Sequence, residues 1–459
     1  MDYNDILSKV KKIHFVGIGG SGMCPLAEIL FHRGYELTGS DTNESDTLAR
    51  IRSYGIPVTM GQKAENIGDT ELVVYSAAVK ADNSELVAAR EKGIPVVERS
   101  VMLGMVTRRY ANTIAISGTH GKTTTTGLIT QILINAGVDP SAVIGGKLPF
   151  IGGNGRVGKS DTIVCEACEY VDTFLQLNPA VSVILNIDND HLDYFGTVEN
   201  IIKSFHQFSK QTTKMMIVNG DDANTLKAID DITPIPVITF GLKSTNDYYA
   251  VDIADTKAAK EHFTVMKHGK KLTEVTLSIP GKHNVYNALA AFAVADQMKV
   301  DIKSIADSLH QFTGVHRRFE ILGEFDGITV ADDFAHHPTE LTATLTAANS
   351  MGFTHVWAVF QPHTFSRTSL LLDDFAKALA IPDRVVISEI LAVREENTYH
   401  IFAKDLADKV PGSVWFKTFE EITDYVTANA KSGDLILTLG GGNVYQCANM
   451  IVDHYKSKE

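Results

Sequence analysis

The sequence predicts an α/β protein of three blocks, each built on a mainly parallel sheet, and three observations carry that expectation. Strand-like apolar runs alternate with helical patterns along the whole chain, which is the pattern of βαβ units. Two of these runs end in glycine-rich turns that open helices. At 459 residues the chain also exceeds the roughly 250 to 300 residues at which a single core stops growing.

The first block starts with a strand at residues 13–16, continues through strands at 36–39 and 72–75, and fades after residues 94–97. Its first strand runs into Gly17-Ile18-Gly19-Gly20-Ser21-Gly22, which matches G-x-G-x-x-G and opens a helical pattern over 23–33. Such a turn frees backbone N–H groups to approach a diphosphate and aims a helix N-terminus at negative charge. Asp41 ends the next strand, where an acid binds ribose in dinucleotide sites. The motif by itself fits NAD and a UDP-sugar equally.

A helical stretch then leads to a second block with strands at 113–116, 162–165, 181–185 and 216–218. Gly118-Thr119-His120-Gly121-Lys122-Thr123 lacks the first glycine of the long P-loop pattern, because Ile116 stands there, but it follows a strand and precedes a helix over 124–135. That helix carries Leu128, Ile132 and Leu133 on one face. The context places Lys122 at a β/γ-phosphate and lets Thr123 reach Mg²⁺, so ATP binding is expected here. Residues 153–160 match the full pattern G-x-x-x-x-G-K-[ST] yet lead into a strand, so they read as a glycine-rich connection.

Glu166 and Glu169 follow the strand at 162–165, and Asp188, Asp190, His191 and Asp193 follow the strand at 181–185. Oxygen ligands at strand ends beside a P-loop suit a Mg²⁺-nucleotide, and a neutral His191 can join them. Cys165 and Cys168 form a C-x-x-C without a second pair at zinc spacing, so they read as incidental. The block then turns antiparallel, with strands at 249–251, 262–265 and 272–276, and closes with helices at 284–297 and 302–312. The third block begins after Gly314 and holds strands at 356–360, 384–387 and 435–439; Gly440-Gly441-Gly442 reads as a packing turn. No fixed-period repeat is visible, which excludes a solenoid.

With 42 Lys and Arg against 55 Asp and Glu, the net charge of −13 excludes nonspecific binding to nucleic-acid polymers and anionic membranes, so an anionic ligand needs a local cluster of cations. Four cysteines give no disulfide framework and fit a reducing compartment. The first residues lack a signal-peptide pattern and no apolar run approaches the ~18 residues of a membrane span, so a soluble cytoplasmic protein is expected.

The segments GTHGKTTTT (118–126), EACEYVDTFL (166–175), NIDNDHLDYF (186–195), GKHNVYNALAA (281–291), GVHRRFE (314–320), DDFAHHPTE (332–340) and FQPHTFSRT (360–368) together resemble the Mur ligases. The resemblance runs from GIGGSGM to GGGNVY and points to the branch that joins L-alanine to the lactyl carboxylate of UDP-N-acetylmuramate. It implies a Rossmann-like N-terminal domain for the UDP-sugar (1–107), a central P-loop ATPase domain (108–312) and a Rossmann-like C-terminal domain that closes over the site (313–459).

It further implies UDP-sugar contacts at Gly19, Gly20, Ser21, Gly22, Met23, Asp41 and Ser76. ATP would meet Gly118, Thr119, His120, Gly121, Lys122, Thr123, Thr124, Asn284, Asn287, Arg318 and Asp333, and Thr123, Glu166 and His191 would organise Mg²⁺. His336, His363 and Arg367 would face the amino acid, with Lys122, His191, His336 and Arg367 catalytic and either histidine a candidate base. Many members have Tyr where this chain has Phe334 and Arg where it has Thr364, so this pocket has one hydroxyl and one charge fewer. The chemistry implied is ATP-dependent amide formation through an acyl phosphate. Within the family the competing expectation is a recycling ligase that attaches a preformed tripeptide to the same sugar. Outside it stands an NAD-dependent oxidoreductase, which leaves the P-loop and the acids without a task.

Overall fold

The computed structural model describes residues 6–458 except 233, 257–259 and 394. Contacts group the chain into two compact units, one of residues 1–249, 266–271 and 287–308, the other of 250–265, 272–286 and 309–459.

The first unit opens on a five-stranded sheet in the order Val58–Met60, Glu36–Asp41, Lys12–Val16, Leu72–Tyr75 and Val96–Glu98, parallel throughout. Its order reverses between Lys12–Val16 and Leu72–Tyr75, and a reversal of this kind leaves a crevice outside the strand ends. The glycine turn after Val16 and Ser76 after Tyr75 sit at that crevice. Alternate residues serve opposite faces: Ile13, Phe15, Leu72 and Val74 join one core, Val16 and Val73 another. Val58–Met60, short and exposed, gave no apolar run in the sequence.

The same unit holds the parallel body of a ten-stranded sheet, ordered Val237–Gly241, Met215–Asn219, Val181–Ile184, Asn112–Ser117, Thr162–Glu166 and Ser141–Leu148. Gly153–Arg156 pairs antiparallel at one edge, and Tyr248–Thr256, Lys260–Lys267 and Lys270–Leu277 extend the other. Central strands covered on both faces read as mainly apolar runs, which is why Asn112–Ser117 and Val181–Ile184 were legible. Register sets Ile116 opposite Glu166 and Ser117 opposite Ile184, so three strand ends converge where the P-loop begins.

The P-loop helix is Lys122–Asn135, starting two residues before the sequence reading, and it is buried all round from Thr123 to Leu133 rather than along one face. Thr126 turns its hydroxyl back to the Lys122 carbonyl at 2.8 Å and Thr123 donates to Glu166, while the buried Thr125 and Thr130 hydroxyls have no hydrogen-bond partner among the described residues. The 153–160 segment forms an edge strand and no helix, as its context required. Its glycines permit close packing instead: a Cβ on Gly155 would stand 2.7 Å from the Pro25 side chain, and Asn154 donates to the Ser21 carbonyl.

The second unit carries a six-stranded sheet in the order Glu320–Phe325, Ile328–Asp333, Leu435–Leu439, Val356–Phe360, Arg384–Ile387 and Val414–Trp415. Only its first pair is antiparallel. Leu435, Leu437 and Leu439 pack into one core and Ile436 into the other, the period of two that a doubly covered sheet imposes. The hairpin opening this sheet gave no apolar run, because Glu320–Phe325 is an edge strand without a continuous buried face and Ile328–Asp333, though buried throughout, includes Thr329, Asp332 and Asp333.

Candidate active site

The first glycine turn is held from beneath. Gly17 takes φ 81°, and its N–H and that of Ile18 bond the Ser40 carbonyl at 2.8 and 3.1 Å. Asp41 lies at the expected strand end, but its Oδ2 accepts the Gly19 N–H at 2.8 Å and its Oδ1 accepts the N–H groups of Thr42 and Asn43. The carboxylate therefore clamps the turn as well as lining the cavity there. That cavity, of about 580 Å³, is bounded by Gly19, Gly20, Asp41, Asn43, Ser76 and Asn83. A second, of about 360 Å³, shares Gly20 and Ser76 with it, takes in Ser21, Gly22 and Met23, and reaches Gly145 and Glu166.

The P-loop is built on two glycines and one asparagine. Gly118 has φ 136° and packs against Leu185; Gly121 has φ 88°, and a Cβ there would meet Asn287 Oδ1 at 2.4 Å. Asn186 pairs with His120 twice, accepting its N–H at 2.8 Å and donating to its carbonyl at 3.0 Å. The Asp188 N–H donates to Thr119 Oγ1 at 2.9 Å, and the Asp188 carboxylate lies 3.1 Å from His120 Nε2.

Lys122 Nζ donates to both oxygens of Glu169, at 3.0 and 2.8 Å, to the Thr119 carbonyl at 3.1 Å and to the Gly118 carbonyl. Burial alone pulls this ammonium's pKa down, but Glu169, backed by Glu166, outweighs that and raises it above the ordinary lysine value. Thr123 Oγ1 donates to Glu166 Oε2 at 3.2 Å, and Glu166 Oε1 accepts the Gly145 N–H at 2.6 Å. Thr124 is buried in the same first turn.

His191 adopts φ 56°, with Nε2 3.8 Å from Glu169 Oε1 and the Tyr170 ring 4.6 Å away. Val171 and Asp172 also have positive φ, at 53° and 55°, and Asp172 is tied down by the Tyr194 hydroxyl at 2.6 Å. Three non-glycine residues in that region, one of them β-branched, mark a strained segment beside the P-loop. Cys165 is pushed up to about 12 by burial and Glu166, while burial and Glu169 raise Cys168, so both are held as thiols.

In the second unit Arg317 organises the strand ends. Its guanidinium pairs with Asp332 at 2.8 Å and donates to the carbonyls of Gly440 and Gly442 at 2.7 and 2.9 Å. The Gly440-Gly441-Gly442 turn thus offers carbonyls to a cation and packs tightly, Gly441 against His336 and Gly442 against Leu391, as a packing turn should. Asp333 accepts the N–H groups of Phe319 and Ala335 at 2.6 and 2.7 Å; burial pushes its pKa up to about 6, against the opposing pull of Arg318.

Phe334 lies under both guanidiniums, Arg317 at 5.0 Å and Arg318 at 5.2 Å, contacts that need its ring face and no hydroxyl. The His336 and His363 rings meet at 5.5 Å, and His363 Nδ1 is 3.4 Å from Arg367. His336 Nδ1 bonds the Phe334 carbonyl at 3.0 Å, which assigns the proton to Nδ1 and makes Nε2 the basic nitrogen. Thr364 sits at φ 67° and caps the helix Phe365–Leu370 by accepting the Arg367 N–H at 3.3 Å. Asn284 and Asn287 both lie on Lys282–Gln297; Asn284 donates to the Pro280 carbonyl at 2.6 Å, while Asn287 faces the P-loop turn.

Three family models match in order: the Mur ligase family catalytic domain over residues 12–111, the Mur ligase middle domain over 116–295 and the Mur ligase glutamate ligase domain over 317–442. A UDP-N-acetylmuramate–L-alanine ligase from Caldanaerobacter subterraneus subsp. tengcongensis is 42% identical over 456 residues, covering 98% of this chain and 99% of that one. The chain is a Mur ligase. The crystal structure of the UDP-N-acetylmuramate–alanine ligase MurC from Thermotoga maritima superposes on this Mur ligase with a TM-score of 0.84 at 30% identity, covering 98% of this chain and 100% of that one. A murein peptide ligase from Psychrobacter arcticus shares the fold, with a TM-score of 0.74 at 24% identity over 96% of this chain and 98% of that one.

Two residues of this Mur ligase that hold the strand ends and the P-loop together have partners that the sequence does not reveal. Glu169 reads from the sequence as one of the acids beside the P-loop that suit a Mg²⁺-nucleotide, yet in the structure it is the buried partner of Lys122. Arg317 was passed over for Arg318, and adjacent arginines give no sequence cue to which one faces the fold and which the ligand.

Proposed function

We propose that this Mur ligase joins L-alanine to the lactyl carboxylate of UDP-N-acetylmuramate, converting ATP to ADP and phosphate. One observation carries the reading: the cavity that begins at the first glycine turn ends at Glu166, beside Thr123 of the P-loop, so a sugar held at the turn extends its acid toward the nucleotide. The relative that is 42% identical over nearly the full length bears the name of this activity.

A carboxylate resists amine attack because its charge repels the nucleophile and oxide does not leave. In-line attack of a lactyl carboxylate oxygen on the γ-phosphorus, with ADP leaving, converts it to an acyl phosphate. Lys122 holds and neutralises the phosphate oxygens, while Gly118, Thr119, His120, Gly121 and Thr124 shape the loop around them. Asn284, Asn287, Arg318 and Asp333 hold the rest of the nucleotide. Gly19, Gly20, Ser21, Gly22, Met23, Asp41 and Ser76 hold the UDP-sugar.

Mg²⁺ fits the donors present: Glu166 and Thr123 stand within hydrogen-bond distance of each other at the P-loop, and His191 faces Glu169 nearby. When bound there, the ion neutralises charge on the transferring phosphate. Arg367, with His363, receives the alanine carboxylate and sets the amine's approach. His336 belongs to the same group, and its Nε2 takes the proton released as the amine attacks the acyl carbon and phosphate departs. The reading also divides the chain into domains at 1–107, 108–312 and 313–459, supported by the three sheets and the three model matches. A cytoplasmic site of action follows from its substrates, and no described helix is long and apolar enough to cross a membrane.

The test is ADP release by the purified protein with Mg-ATP and UDP-N-acetylmuramate. Turnover is expected with L-alanine and at most a trace with the preformed tripeptide. Tripeptide as the better acceptor would establish the recycling reaction instead, and no ADP with either would remove the ligase reading.

A further inference from the structure

We propose that Arg99 receives the diphosphate of the UDP-sugar. The inference rests on the UDP-sugar reading above and adds to it the cation that the glycine turn lacks. Arg99 is the only lysine or arginine lining the second cavity among the described residues. Its side chain lies directly against the turn: a Cβ on Gly22 would stand 2.9 Å from Arg99 Cδ and 3.2 Å from one guanidinium nitrogen. Any larger residue at position 22 would push the guanidinium aside, which gives the last glycine of the turn a specific task.

Local structure does not account for this arginine. It is the first residue of the helix Arg99–Thr107, where the dipole disfavours a cation and no acid stands in the first turn. The adjacent Glu98 is engaged by the Ser100 hydroxyl, and the Arg99 side chain makes no hydrogen bond or carboxylate ion pair among the described residues, though its charge acts on the Cys168 thiol. A half-buried guanidinium placed against a dipole, unpaired and facing a cavity, is a rule broken at the level of folding for use at the level of binding.

The ligand group follows from the layout. The two cavities share Gly20 and Ser76, so a nucleoside in the larger and a sugar in the smaller are joined across the turn. The acid of the sugar must extend to Glu166 at the far end to reach ATP. The anion left at the Gly22 end is the diphosphate, and an arginine fork matches its oxygens in two parallel bonds.

The experiment is calorimetric titration of wild type, Arg99→Gln and Arg99→Lys with UDP, UDP-N-acetylmuramate and ATP, with thermal unfolding alongside. Loss of a charge-assisted pair is expected to weaken UDP and UDP-N-acetylmuramate by the same factor, roughly 30-fold, in Arg99→Gln. Arg99→Lys, which keeps the charge without the fork, should fall between, and ATP affinity should match wild type. UDP binding unchanged in Arg99→Gln would overturn the proposal, as would a loss confined to UDP-N-acetylmuramate, which would move Arg99 to the lactyl carboxylate. Equal losses of ATP and UDP affinity would make its role structural and would overturn it too. Wild type that fails to bind UDP at all would instead remove the UDP-sugar reading.

Discussion

Replacing Lys122 with Met is expected to lower turnover at least ~1,000-fold while UDP affinity stays at the wild-type level, because the ammonium stabilises charge that develops only on the transferring phosphate. The substitution has a second consequence. Glu169 is 2% exposed, and without Lys122 its charge has lost the partner that compensates its burial. Breaking a buried pair from one side costs about 3 to 5 kcal/mol, so Lys122→Met should also unfold at a lower urea concentration. Lys122→Met combined with Glu169→Gln removes the stranded charge and should recover most of that stability without recovering activity. Activity returning with stability in the double variant would reduce Lys122 to a structural residue. Unchanged stability in the single variant would contradict the buried pair.

Asp333→Asn is expected to change how stability depends on pH. Burial raises the folded-state pKa of Asp333 to about 6, above the ~3.9 of an unfolded aspartate. A raised pKa means the folded state binds the proton more tightly, so this group's contribution to stability is complete below pH ~4 and is lost as pH rises through about 6. Two pKa units correspond to about 3 kcal/mol. Asn stays neutral, so the wild-type curve should fall by roughly that amount relative to Asp333→Asn between pH 4 and 7. The comparison of slopes matters more than either value alone. Asp333 accepts two backbone N–H groups, Phe319 and Ala335, and an amide offers one oxygen, a loss that is the same at every pH. Urea unfolding at a series of pH values gives the result, and parallel curves would contradict the buried carboxylate. Because Asp333 is also assigned to the nucleotide, the variant should bind ATP less tightly.

How far the sequence could be read depended on burial. Asn112–Ser117, Val181–Ile184 and Leu435–Leu439 are covered on both faces, and parallel strands of that kind read as mainly apolar runs rather than as an alternation. Glu320–Phe325 is an edge strand, and Ser141–Leu148 is interrupted by Gly145 and Gly146, so neither gave that signal. The P-loop was legible from its context, and the same rule correctly dismissed the fuller match at 153–160. The all-round burial of Lys122–Asn135 was not, because its run of threonines reads as polar although every one of them is buried.

Among the residues gathered at the P-loop, motif spacing pointed to Lys122, Thr123, Glu166 and His191. Tasks that depend on three-dimensional partners were not legible. Glu169 matters because it meets Lys122, Arg317 because it spans from Asp332 to the Gly440-Gly442 carbonyls, and Arg99 because it lies across Gly22. Thr364 shows the reverse case. As a departure from the family pattern it signalled one charge fewer, and in the structure its hydroxyl caps the helix that carries Arg367.

The acyl-phosphate step is tested most directly by following oxygen. With both carboxylate oxygens of UDP-N-acetylmuramate labelled with ¹⁸O, attack on the γ-phosphorus and later departure of phosphate transfer one label to phosphate and leave one in the amide. Mass spectrometry of the phosphate formed with L-alanine should find one ¹⁸O per molecule. Unlabelled phosphate, with both labels retained on the sugar, would mean that water had taken the phosphoryl group and that the carboxylate was never activated.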